Sequence, residues 1–405
     1  MIYKTALLFF ICLALAFQAN AQVEMGDSLF SSTHRDKVKI DFLASYYEQD
    51  GIHSPVTGGE GTEKLEDIVG KIKVYIPMKK GKSLTLGLAA DSYTSASTDM
   101  INDAKSSASV QDTRTYGNID FAQTDSSKKK TWGLGIGYST EWDVNSVSVN
   151  ATYTHLSRNE NQAVKLSFSY FHDTWELIYP AELRSKSLRN PELFLSNNIR
   201  QLGNLGISFN QVVNKKMNAS LSTEFIYQSG LLSTPFHRIY FKDTTDVRIE
   251  QLPNSRWKLP IALRFNAYIS DLFVLKTFYR YYVDDFGIQA HTLKFEIPVK
   301  ISNYLSLYPF VRMHSQTASQ YFAPKFEHLS SQEFFTSDYD LSAFTSVKYG
   351  MGFKYEPLYG LGRMRLPSRQ RKVLIWTHLS ARYGHYNRSD GLHADIFSLM
   401  TSFEF

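Results

Sequence analysis

Oxygen-bearing side chains gather at three points of the sequence in a way that would suit a hard cation: Asp91, Ser95, Ser97 and Asp99; Glu141 and Asp143; Asp284 and Asp285. Ca²⁺ takes several oxygen ligands, so these residues are candidates for a cation site, with Ca²⁺ the ion expected. No spacing among them forms a defined calcium loop. The competing expectation is that they cap strand ends and hydrogen-bond loop backbone. A second set is charged and mostly basic: Lys165, Glu224, Lys276, Arg280, Arg312, Lys348, Lys354 and Arg382. Lining a water-filled interior, these groups would favour anionic solutes; the alternative is a hydrated or mutually paired interior with no transport role.

Nucleophilic and redox chemistry find little support. The eleven histidines are scattered, among them His155, His172, His314 and His378. There is no G-x-S-x-G elbow and no H-E-x-x-H pair, so an enzyme is not expected. The one cysteine, Cys12, lies in an N-terminal apolar run, which leaves the rest of the chain without a disulfide or thiolate metal site. Apart from Ca²⁺, no cofactor is expected.

The elements that would position these residues are strands. Side chains alternate in character along nearly the whole chain, and successive side chains of a strand point to opposite faces. Trp132, Leu134, Ile136 and Tyr138 alternate with Gly133, Gly135, Gly137 and Ser139. Val347, Tyr349, Met351 and Phe353 alternate with Lys348, Gly350, Gly352 and Lys354. One face suits hydrocarbon and the other water, which is the pattern of a membrane-spanning β-barrel.

Composition agrees. Aromatic residues make up 14% of the chain and charged residues 20%, while mean hydropathy is only −0.28. Low hydropathy without a spanning helix fits a barrel, in which only alternate residues face lipid. The net charge of +5 is spread along the chain, so no nucleic-acid partner is expected.

At the N-terminus, Lys4, an apolar run from Ala6 to Phe17 and the small-residue site Ala19-Asn20-Ala21 predict a signal peptide over residues 1–21. Residues 22–36 read as a short periplasmic lead-in, and 37–405 as the barrel. Strands are predicted over 37–48, 70–78, 83–93, 113–124, 131–142, 145–157, 163–175, 197–213, 217–230, 258–269, 271–283, 286–299, 304–316, 341–357, 371–386 and 391–405. The expectation is thus an all-β, single-chain antiparallel transmembrane barrel of about sixteen strands, within a range of about 14–18, with both termini periplasmic. The segment 113–124 alternates poorly. Short polar turns fall on one side, and the long stretches 49–69, 94–112, 176–196, 231–257 and 317–340 on the other. One longer turn, 358–370, breaks this sorting and carries Arg363, Arg365 and Arg369, followed by Arg371 and Lys372. The final strand ends in Phe405, expected to serve as the signal read by the barrel assembly machinery.

Four motifs at predicted strand ends, Asp91–Ile101 (DSYTSASTDMI), Tyr138–Ser146 (YSTEWDVNS), Gly230–Phe241 (GLLSTPFHRIYF) and Arg280–Thr292 (RYYVDDFGIQAHT), give the chain a family resemblance. It resembles the family of Gram-negative outer-membrane β-barrels catalogued as domain of unknown function 3570, from about Leu84 to the C-terminus. Where that family has a Gly-Ala-Ser segment after the first motif, this chain reads SSASVQDTRTY over Ser106–Tyr116, without the glycine. The resemblance implies an outer-membrane barrel and no particular chemistry.

Two functional expectations follow from the barrel, with a barrel lipase or protease a distant third. One is a channel or transport component for small hydrophilic solutes. The other is a non-conducting scaffold presenting outer loops and the 358–370 turn to lipoprotein, redox or secretion partners. Outer-membrane lipid is the expected surrounding in either case.

Overall fold

The computed structural model describes residues 37–94, 111–180, 182–184, 187, 194–365 and 373–405. Residues 1–21 and 22–36, with Ser95, Ser97, Asp99, Arg369, Arg371 and Lys372, lie outside the described residues.

Along the described chain run β1 (Lys39–Asp50), β2 (Leu65–Met78), β3 (Lys82–Thr94), β4 (Gln111–Asp125), β5 (Lys130–Thr140), β6 (Val144–Leu156), β7 (Gln162–Trp175), β8 (Ile199–Asn214), β9 (Met217–Gly230), β10 (Arg238–Tyr240) and β11 (Val247–Ile249). There follow β12 (Ser255–Tyr268), β13 (Val274–Asp284), β14 (Gln289–Glu296), β15 (Val299–Lys300), β16 (Leu305–Gln316), β17 (Phe344–Tyr355), β18 (Gly362–Arg365), β19 (Val373–Arg388) and β20 (His393–Glu404). The large sheet has 18 strands by hydrogen bonding, but β15 continues the line of β14 along β16, and β18 that of β17 along β19. Eighteen less these two continuations leaves a ring of sixteen antiparallel strands. It closes where β1 pairs with β20 over Lys39–Glu404 to Asp50–His393. The sixteen segments expected from the sequence are these sixteen strands.

The break between β14 and β15 falls at Pro298, which has no N–H to give the ladder. The poorly patterned segment 113–124 is a full strand, β4, paired along its length with β3 and β5. Its inward Asp120 occupies space that a neighbouring glycine leaves open. A Cβ on Gly135 would stand 2.0 Å from Asp120 Oδ1 and 2.6 Å from Asn150 Nδ2. Tertiary pairing here overrides weak local pattern.

The outer surface is apolar. Leu134 and Ile136 of β5 are 55% and 59% exposed, and Leu205 of β8 is 61% exposed. Val149, Phe168, Leu221, Phe225 and Leu263 are also exposed on the same side of their strands. Trp132 and Tyr138 flank Leu134 and Ile136 on β5, as aromatic side chains flank the apolar band of a membrane barrel. Such a surface cannot be left facing water without association.

Both ends of the ring, Lys39 of β1 and Glu404 of β20, lie together with the turns joining β2 to β3, β4 to β5, β6 to β7 and β8 to β9. The long loops lie at the other end, and three of them pack on one another. These are residues 51–64, 231–254 and 317–343, the second carrying the β10–β11 hairpin. Ile239 and Phe241 of that hairpin and Phe335 of the third loop form a buried cluster. The Phe335 N–H donates to Gln251 O at 2.7 Å. Arg238 donates to Val56 O at 2.7 Å, and Lys325 pairs with Glu60 at 3.0 Å. Since β9 stands eight strands from β1, halfway round the ring, these contacts cross the mouth of the barrel and roof it.

Candidate functional site

The apolar outer positions fix which side chains point inward. On β17 Val347, Tyr349 and Met351 are exposed, so Lys348 and Lys354 face the interior. The same alternation turns Lys165 of β7, Glu224 of β9, Lys276 and Arg280 of β13, Arg312 of β16 and Arg382 of β19 inward.

Several of these meet. Arg312 is the cross-strand partner of both Lys294 and Lys348, so three cations stand side by side on β14, β16 and β17. Like charges directly opposite one another are unfavourable unless water or counter-ions separate them. Arg280 lies next to this row on β13, opposite Thr292 of β14. The carboxylate among these cations is Glu296, whose side chain is 4% exposed. It takes Arg382 at 2.7 Å and Lys294 at 3.3 Å. Arg382 also stacks over Phe310, 4.1 Å from the ring centre. Below the row, Arg264, Lys276 and Lys294 line a recess with Glu296.

The remaining inward charges have other direct partners. Glu224 accepts from Asn204 Nδ2 at 3.0 Å, Lys165 faces Ser208 and Thr154, and Lys354 pairs with Glu356 at 2.6 Å. Glu296 and Lys294 were absent from the sequence-derived set. Both sit in a short strand interrupted by proline, where alternation has few residues in which to show.

At the loop-bearing rim the candidate carboxylates divide. Ligand oxygens of Glu141, Asp143 and Asp112 lie within 4.8 Å of one another. Burial, reinforced by Asp143 and Asp91, pushes the Glu141 carboxyl up to about 7. Burial likewise raises Asp143. Asp91 lies buried nearby, opposite Arg114 of β4. Asp112, which the sequence did not single out, joins because β4 pairs Asp112 with Tyr93 at the end of β3.

Asp284 and Asp285 take no part in that cluster. Asp284 binds Arg256, accepts from Tyr282 Oη at 2.6 Å and receives the Ile288 N–H at 3.0 Å. Asp285 receives the Trp257 N–H at 3.2 Å. Both hydrogen-bond neighbouring strand and loop residues. Asp99, Ser95 and Ser97 are outside the described residues. Phe405 exchanges backbone hydrogen bonds with Val38, at 3.0 and 3.1 Å, beside the β1–β20 seam. Of the turn 358–370, Arg363 and Arg365 lie exposed on β18.

Among solved structures, the chain is similar to a bacterial polysaccharide outer membrane secretin (9% identity, 91% of this chain and 99% of that one, TM-score 0.45). It is also similar to a BenF-like porin from Pseudomonas fluorescens Pf-5 (6% identity, 91% and 99%, TM-score 0.42). A third is the ferric enterobactin receptor PfeA mutant of Pseudomonas aeruginosa (12% identity, 86% of this chain, TM-score 0.40), of which the chain spans 53% of the length. No curated protein matches it in sequence. The model described as "Protein of unknown function (DUF3570)" matches residues 7–360, and the chain belongs to that family.

Proposed function

We propose that this chain is an integral outer-membrane channel that passes small hydrophilic solutes and favours anions. The observation that carries this reading is the row Lys294–Arg312–Lys348 with Arg280 and Arg382 beside it, of which Lys294 and Arg382 are paired by the carboxylate of Glu296. Charge of one sign on a barrel wall sets a selective barrier: it raises the local concentration of anions and repels cations. The apolar outer belt supports the location, with the loop-bearing end extracellular and Phe405 on the periplasmic side as the assembly signal.

Reversal potentials across a planar bilayer with a KCl gradient test the proposal. The expected sign is that of anion selectivity, reduced in Arg312→Gln and Lys348→Gln. A purified barrel that inserts yet carries no current at any voltage would sink it.

The roof favours a second reading, a non-conducting scaffold. Arg238 holds the β10–β11 hairpin to Val56 O and, bidentately, to Glu182, and Lys325 holds Glu60. Loops fixed in this way present one surface to a lipoprotein or secretion partner. Crosslinking in the native membrane distinguishes the two: a stable partner with no conductance supports the scaffold.

A further inference from the structure

The roof encloses a cluster that the channel reading does not use. His237 and Glu250 flank the β10–β11 hairpin, where the Glu250 N–H donates to His237 O at 3.0 Å. Asp338 reaches the same point from the loop between β16 and β17. One ligand atom from each of the three lies within 4.8 Å of the other two. The cluster is buried: His237 is 8% exposed and Glu250 2%.

Two carboxylates share one imidazole, and buried carboxylates ordinarily carry a full complement of cations or bind metal. Glu250 is held by the Thr234 N–H at 2.7 Å and the Thr336 hydroxyl at 2.5 Å, which orient it without supplying positive charge. One Asp338 oxygen accepts the Asp340 N–H at 2.9 Å. The nearby Arg388 is already engaged by Asp340 and Asp390.

A second, separate observation concerns His237. Its Nδ1 is buried and stands 3.5 Å from Glu250 Oε1, outside good hydrogen-bond geometry. Buried ring nitrogens are seldom left in this state. The spacing suits a ligand pair instead, because tetrahedral zinc with bonds of about 2.0–2.1 Å places its ligand atoms roughly 3.4 Å apart.

We propose that His237, Glu250 and Asp338 form a binding site for a divalent transition ion of borderline softness, for which Zn²⁺ is the probe. One imidazole nitrogen with two carboxylate oxygens is a donor set that such ions take and that Ca²⁺, which prefers oxygen alone, does not. The ion supplies positive charge to the two carboxylates. It also fastens the loop after β9 to the loop after β16, so that metal holds the roof closed. This inference stands apart from the channel reading, since a scaffold would need the same fastening.

The test uses the full chain without a histidine tag, in detergent, stripped with a chelator, reloaded with ZnCl₂ and passed over a desalting column. The expected result is about one zinc per chain, falling at least about tenfold in His237→Ala/Asp338→Asn and unchanged in Asp112→Asn/Glu141→Gln. Heat-dependent electrophoretic mobility checks that each variant is a folded barrel. X-ray absorption of the zinc-loaded wild type gives an answer even if the roof variant misfolds: a shell of mixed nitrogen and oxygen is expected. Wild type that retains no zinc, a double roof variant that retains it fully, or an all-oxygen shell each overturns the proposal.

Discussion

The guanidinium of Arg382 on β19 reaches Glu296 on β14 at 2.7 Å, over two intervening strands of the wall. Only side chains projecting from a concave surface can meet in this way, so the contact records both the inward direction of the two residues and the curvature that brings them together. It also sets the charge of the interior, because Glu296 is the acidic counterweight to Lys294 and Arg382.

Glu296→Gln removes that counterweight. Loss of one partner of a buried charged contact costs on the order of 1–3 kcal/mol, at the lower end here because Arg382 is 39% exposed. Urea titration of the barrel refolded into lipid vesicles reads the loss. The same variant increases anion preference in the bilayer.

Arg312→Glu places an acid between Lys294 and Lys348. Anion preference then weakens or changes sign, while the fold is retained because opposite charges across a ladder are favourable. The reversal potential measures it. An unchanged value means that ions do not pass this row.

Direction along β6 is testable with neighbouring residues. Val149 faces outward and is 45% exposed, so Val149→Arg should cost about 2–4 kcal/mol in a bilayer. Ser148 faces the interior next to Gly137, and Ser148→Lys should fold about as well as the parent. Folding yield in vesicles compares the two. Equal yields contradict the assigned faces.

Glu141 gives a pH dependence with a definite sign. Its ordinary value is 4.5, and in the fold burial, Asp143 and Asp91 push it up to about 7. Between these values the folded chain binds a proton that the unfolded chain has released, so stability falls as pH rises from 4.5 towards 7. Glu141→Gln is therefore stabilising at pH above about 7 and nearly neutral below about 4.5, as read from thermal melts across pH.

Arg238→Ala releases the hairpin from Glu182 and Val56. Added protease should then cut the 231–254 loop of the reconstituted barrel faster, and conductance should rise if the roof limits flow. Cleavage at the parental rate means that the buried Ile239–Phe241–Phe335 cluster holds the roof without Arg238.

The ring of strands was legible in the sequence because its signal is local. Alternation along β5, β6 or β17 needs only neighbouring residues, and a lipid-facing wall enforces it on nearly every strand. For the same reason the inward direction of Arg312 or Lys348 could be read without knowing what stood beside them. β4 read poorly, because its neighbours in the ring fix it more than its own pattern does.

Tertiary structure alone decided what meets what. Asp112 comes to Glu141 and Asp143 through the pairing of β4 with β3, while Asp284 is taken by Arg256. Glu296 finds Arg382 only when the sheet curves shut. The loops that read as long connections fold into a roof whose buried cluster joins loops a quarter of the ring apart and whose Arg238–Val56 contact spans half of it. Alternation is a property of adjacent residues, whereas contacts across a lumen or a mouth depend on closure and register, which no short stretch of chain encodes.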